Sequence, residues 1–280
     1  MVENIKGILI GLTKEFGPNE ASSALGYGLS LAQQADAHAT VRAASVKISL
    51  TSAWVGRLAA ELVAAENRRL HDLAEAVARS VEADAAAAGV ACSVEAPHLS
   101  YPELLSAFRS QARLHDLSIL DAEPETVDLD RGLIEALLMD SGRPILVVPP
   151  GWDAFRARRI ILAWDGSAKA TRAAADALPF LRAAEAVDVI SVTGEKGLPD
   201  TVPGSGIARH LSRHGVAATA ANVEAQNGDV AQTFRDMAER SGADMIVMGG
   251  YVHSRLREMV FGGVTQSLLR QSPVPLFMSH

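Results

Sequence analysis

Short apolar runs alternate with amphipathic stretches along the whole chain. Residues 8–12 (ILIGL), 40–46, 91–95, 117–120 (LSIL) and 145–148 (ILVV) predict strands, and runs with so few polar positions suit a sheet buried on both faces. Apolar positions at helical spacing predict helices at 22–35, 54–88, 101–114 and 133–139. The second is long, rich in Ala and Glu, and stopped by Gly89. After the linker signal Pro149-Pro150-Gly151 the alternation starts again. Strands are predicted at 159–164 (RIILAW), 186–192, 217–223 and 244–248 (DMIVM), and helices at 171–181, 207–214 and 230–240. Each half reads βαβαβαβαβ, the order of a parallel sheet with helices on both faces.

The two halves also share a local pattern. Residues 133–148 read LIEALLMDSGRPILVV and residues 264–279 read VTQSLLRQSPVPLFMS. Superimposed, Leu137 and Leu138 fall on Leu268 and Leu269, Ser141 on Ser272, and Pro144 on Pro275. Ile10 then pairs with Leu162, and Asp116 with Asp244. The repeat is far too long for a solenoid and marks two whole α/β domains, 1–150 and 151–280.

Composition narrows the partners. A net charge of −7 over 280 residues argues against nucleic acid, and no run of like charge suggests a membrane-binding stripe. Cys92 is the only cysteine, which excludes an internal disulfide and a cysteine-built zinc site. The first apolar run is too short for a signal peptide and follows Glu3; nothing reaches the length of a membrane span. The expectation is a cytoplasmic protein.

The chemistry concentrates in the second half. In an open parallel sheet, ligands bind beyond the carboxyl ends of the strands. Two segments reach that edge: Trp164-Asp165-Gly166-Ser167 after one strand, and 249–265 (GGYVHSRLREMVFGGVT) after another. Glycines let backbone approach an anion closely, and Gly262-Gly263 open a helix whose free N–H groups favour negative charge. Thr265 adds a hydroxyl; His253, Arg255 and Arg257 add polar or cationic groups. Asp165 can accept from a ribose hydroxyl or an adenine amine, but Asp165-Gly166-Ser167 equally fits a plain helix entry. Trp164 reads as core.

An Asp after the first strand and MGG…GGVT after the fourth resemble the universal stress protein family, tandem two-domain type. The resemblance implies a fold like the adenine nucleotide alpha hydrolases: two doubly wound parallel-sheet domains of five strands each, packed as a pseudo-dimer through 145–148 and 276–279. It implies a non-enzymatic stress-response protein whose second domain takes ATP or AMP, with magnesium only as the nucleotide's companion. The implied contacts are Ala163, Asp165, Val192, Met248, Gly249, Val252, His253, Arg255, Gly262, Gly263, Val264 and Thr265. Further self-association into a homo-oligomer is compatible with this reading.

The family's ATP-binding branch carries Gly-x2-Gly-x9-Gly-Ser/Thr. Gly249 and Gly262 match its first and third glycines, whereas Val252 replaces the second and Gly263 the Ser/Thr. A β-branched Val disfavours positive φ and takes up space beside the phosphates. This leaves an alternative, an interaction or dimerisation module whose pocket Val252 closes. Slow ATP hydrolysis is a further alternative, with His253 the only base of suitable pKa. In the first half Thr13 replaces Asp165 and Asp121 replaces Gly249, so carboxylates stand where phosphates would sit and are expected to repel a nucleotide. Three other features read as structural. His210 and His214 lie four apart on a predicted helix with no third ligand nearby. The acidic stretch 121–130 lacks calcium-loop spacing. Cys92 sits in a short apolar strand.

Overall fold

The computed structural model describes residues 2–13, 22–49, 57–122, 129–193, 204–250, 252–255, 258–261 and 263–280, with the backbone alone described at 129–131, 252–255 and 258–261. The first half contains β1 (Gly7–Leu12), α1 (Ser23–Ala35), β2 (His38–Ala43), β3 (Ser45–Val46), α2 (Arg57–Ala88), β4 (Cys92–Glu95), β5 (His98–Leu99), α3 (Tyr101–Ala112), β6 (Leu117–Asp121), α4 (Leu129–Asp140) and β7 (Ile145–Val148). The second contains β8 (Arg159–Ala163), α5 (Ala168–Asp176), α6 (Leu178–Ala183), β9 (Ala186–Thr193), α7 (Gly204–Arg213), β10 (Ala218–Glu224), α8 (Val230–Ser241), β11 (Met245–Gly249), β12 (Val252–Arg255), β13 (Glu258–Phe261), α9 (Gly263–Arg270) and β14 (Leu276–Ser279).

Ten strands form one sheet in the order β10-β9-β8-β11-β14-β7-β6-β1-β2-β4. Within each half all neighbours are parallel, and the first strand lies between the second and the fourth. The two halves meet where β14 and β7 pair antiparallel, with Phe277 opposite Leu146. This is the expected pairing of the terminal strands. Because it reverses chain direction, the carboxyl ends of the two sets of strands open at opposite edges of the continuous sheet.

One device recurs in both halves. Asp116, just before β6, accepts the N–H of Lys6 (2.8 Å) and of Gly7 (3.0 Å) through Oδ2. Asp244, just before β11, accepts those of Arg158 (2.9 Å) and Arg159 (3.1 Å) in the same way. The carboxylate fixes the start of a central strand whose first N–H groups would otherwise lack protein partners. Asp244→Ala is expected to cost about 1.5 kcal/mol, the lower end for hydrogen bonds to a charged group. It should lower the denaturant midpoint without changing the slope; an unchanged midpoint would count against this role.

The linker at 149–158 packs rather than tethers. The Trp152 indole N–H donates to the Pro273 carbonyl (3.0 Å), and the Gly151 N–H donates to Ser23 Oγ (3.1 Å). Phe155 stands between the halves in a run of edge-on and tilted rings. Tyr27 of α1 is 5.5 Å from Phe155, Phe155 is 5.9 Å from Phe180 of α6, and Phe180 is 5.6 Å from Phe277 of β14.

Several elements differ from the sequence pattern. The strand predicted at 40–46 breaks at Ala44 into β2 and β3. Opposite the break lies Pro97, which has no N–H to donate, and pairing resumes at Ser45 and His98. The helix predicted at 171–181 divides at Ala177 into α5 and α6, because Pro179 occupies the first turn of α6. In α2, Leu70, Ala74, Ala78, Val81 and Ala85 are buried as a stripe against its own sheet. Leu58 and Leu62, nearer the start of α2, are exposed.

Candidate functional site

β8 and β11 are parallel neighbours, with Leu162 beside Val247, so the chain leaves both at one edge. Beyond β8, the buried Trp164 N–H bonds the Ile190 carbonyl (2.8 Å) and the ring joins the core, as expected. Asp165 Oδ1 accepts the Ser167 N–H (2.9 Å), and Ser167 Oγ accepts that of Ala170 (3.0 Å). Gly166 turns the chain at φ +77°, a conformation that favours glycine. Asp165 is therefore engaged in the entry to α5, while remaining only half-buried at the strand edge.

Beyond β11, Gly249 meets α5 directly. A Cβ there would lie 2.8 Å from the Ala170 nitrogen, the Lys169 carbonyl carbon and the Lys169 Cβ. The glycine is needed for close packing of strand against helix. Around this corner Ala163 is half-buried at the end of β8, and Val192 on β9 and Met248 on β11 are buried. Gly263 opens α9 exposed, Val264 is half-buried, and the Thr265 side chain is buried within the first turn.

The segment read as an open glycine loop is not wholly irregular. β12 and β13 pair antiparallel, with Val252 opposite Phe261 and His253 opposite Val260. The backbone thus satisfies part of its own hydrogen bonding before α9 begins. Gly262 lies outside the described residues, and so do the side chains of Val252, His253, Arg255 and Arg257.

Lys169 was not among the residues singled out by sequence. It stands in the first turn of α5 against Gly249, half-buried, and burial holds its amine below the usual lysine range. Burial, and secondarily Lys169, likewise depress the His280 imidazole. Only the tertiary approach of β11 to α5 reveals Lys169, because it is a single Lys in an Ala-rich helix.

Residues 156–280 match the universal stress protein family. A universal stress protein of Synechocystis is 24% identical over 170 residues, covering 58% of this chain and 56% of that protein. A stress response protein of Bacillus subtilis is 33% identical over 57 residues, 20% of this chain and 34% of that protein. The matches thus span about half or less of these relatives' length. The crystal structure of a universal stress protein from Archaeoglobus fulgidus is similar over 97% of both chains, with a TM-score of 0.65 and 18% identity. At that identity the likeness speaks for the fold, and it extends through both halves.

The corresponding corner of the first half is built differently from that of the universal stress protein domain. Asp121, at the end of β6 as Gly249 is at the end of β11, turns its carboxylate onto the start of α1. Oδ1 accepts the Ala24 N–H (2.9 Å) and Oδ2 the Ser22 hydroxyl (2.6 Å). Sequence suggested a carboxylate that repels a phosphate. In the structure that carboxylate is bound to the helix end. Thr13 stands where Asp165 does in the second half.

Of the features read as structural, residues 123–128 of the acidic stretch lie outside the described residues. The His210 and His214 rings are 4.8 Å apart on the exposed side at the end of α7, and no group of three metal-binding side chains exists among the described residues. Cys92 is half-buried on β4, and burial raises its thiol above the usual range, away from a reactive thiolate. Among the described residues, no helix is long and apolar enough to cross a membrane.

Proposed function

We propose that this is a tandem universal stress protein, divided near residue 150, whose second domain binds ATP or a related adenine nucleotide without turning it over. Asp165, Gly249, Gly262, Gly263 and Thr265 are assigned to the ligand. The carrying observation is the convergence of two strand ends at one edge, with Gly249 drawn against α5. α9 starting at Gly263 adds backbone N–H groups of the kind that attract phosphate. Ala163, Val192, Met248 and Val264 are apolar and suit an adenine ring; Val252, His253 and Arg255 belong to the segment that would cover the phosphates. Magnesium would enter only with the nucleotide.

Calorimetry with ATP and with AMP tests the reading. Heat of binding at micromolar to millimolar ligand is the expected result. A folded protein giving none at millimolar ligand ends the proposal.

The β12–β13 hairpin favours a second reading, because its strands pair with each other across the stretch that would otherwise wrap phosphates. On this reading the domain is an interaction or dimerisation module closed by Val252. Val252→Gly separates the two: ATP binding gained only by the variant places the native protein in the second class.

A further inference from the structure

A histidine pair in the first half lies apart from the site described above. β3 and β5 form a short parallel pair beyond the break at Ala44, with Ser45 in register with His98. α2 packs on β3, and Asn67 of α2 clamps the residue after the strand. Its side chain accepts the Ile48 N–H (2.8 Å) and donates to the Ile48 carbonyl (2.9 Å). His71 follows Asn67 by four residues, so it stands on the same face of α2. Its ring centre is 5.6 Å from that of His98, with the planes tilted by 41°. Three elements thus set two imidazoles side by side.

The two nitrogens of His98 are unequally served. Nδ1 is 2.8 Å from the Oγ of Ser45, which is 8% exposed. Nε2 is enclosed and has no hydrogen-bond partner. When Nδ1–H donates to Ser45, Nε2 presents a bare lone pair. That is the arrangement of a metal-binding histidine whose other nitrogen is held from behind. Burial, then His71 and Lys47, keep the imidazole below its usual range, so it is neutral near pH 7, the form that binds metal. The spacing agrees. A zinc–nitrogen bond of about 2.0–2.1 Å sets a ring centre about 3.2 Å from the ion, and two rings at a near-tetrahedral angle then lie about 5–6 Å apart. His71 is exposed, which gives an ion a way in from solvent. The His210–His214 pair lacks these marks, since both are exposed on one side of one element.

We infer that His71 and His98 hold a divalent transition-metal ion of the zinc class, with Ser45 orienting His98 and water completing the coordination. Imidazole suits zinc, copper and nickel, whereas calcium and magnesium take oxygen. Exposed Lys47 opposes a cation here. Glu103, whose carboxylate Ser100 binds and Lys47 also favours, offsets part of that charge. The inference does not depend on the nucleotide reading.

Calorimetry with zinc chloride on the untagged full chain tests it, in a His214→Ala background that silences the exposed pair at the end of α7. One zinc ion per chain is expected, with no heat from magnesium chloride, and binding should fade as the pH falls through the histidine range. His98→Ala and His71→Ala should each weaken binding more than about tenfold. Ser45→Ala, which keeps both ligands, should weaken it about tenfold, the lower end for losing an orienting partner. Lys47→Gln should tighten it. No zinc binding at millimolar ion, or an isotherm that His98→Ala or His71→Ala leaves unchanged, overturns the site. Thermal melts check folding; should His98→Ala fail to fold, His71→Ala, at an exposed position, decides alone.

Discussion

Phe180→Ala is expected to lower the unfolding free energy by about 3–5 kcal/mol, the range for emptying a buried aromatic site. Phe180 is fully buried and stands between Phe155 of the linker and Phe277 of β14. Its loss leaves a void between these two rings, and neither can close it alone. β14 is held by backbone pairing on both sides, to β11 and to β7. Phe155 is held by a linker that Trp152 pins to Pro273. Because the ring run continues to Tyr27 of α1, both halves should lose stability together. Urea unfolding followed by far-UV circular dichroism should show one transition moved to lower denaturant. A first transition covering only the second half, with the first half unmoved, would contradict this coupling.

The same geometry explains what was legible in the sequence. Strands buried on both faces must be apolar almost throughout, so ILIGL, ILVV and DMIVM declared themselves. The seam between halves was legible because the chain repeats its terminal helix and strand, and equivalent strands meet across an approximate two-fold axis. The Asp116 and Asp244 clamps follow from the same duplication.

What failed to show was local chemistry overriding a period, or contact between distant segments. Pro179 sits inside an apolar pattern that reads as one helix, and it starts a second helix instead. Pro97 interrupts pairing in a neighbouring strand, an effect invisible along residues 40–46 themselves. The β12–β13 hairpin lies in a glycine-flanked stretch whose charges and aromatics lack a clear alternation. For the candidate site, Asp165 and Gly249 could be placed at strand ends from the sequence. Lys169 could not, because the docking of β11 onto α5 sets it against Gly249, and spacing does not.

Gly249→Asp transplants the first half's residue into the second and is expected to fail there on two counts. The first is steric. The new Cβ would lie 2.8 Å from backbone atoms of Lys169 and Ala170, which cannot swing aside like a side-chain tip. Parting β11 from α5 should cost about 3 kcal/mol, the upper part of the range for overpacking a filled site. Asp121 escapes this cost because the start of α1 is set to receive it, with Ala24 N–H and Ser22 Oγ bonded to its carboxylate. The second count is electrostatic: a fixed carboxylate beside Lys169 would compete with any incoming phosphate. The variant should unfold at lower denaturant with an unchanged slope. Calorimetry should show no ATP binding under conditions where thermal melts confirm that it remains folded. Gly249→Ala separates the effects, since it brings the clash without the charge and should lose stability while keeping part of the affinity. Were Gly249→Asp as stable as the native chain, the close approach of strand and helix at this corner would be refuted, and with it the reason for glycine there.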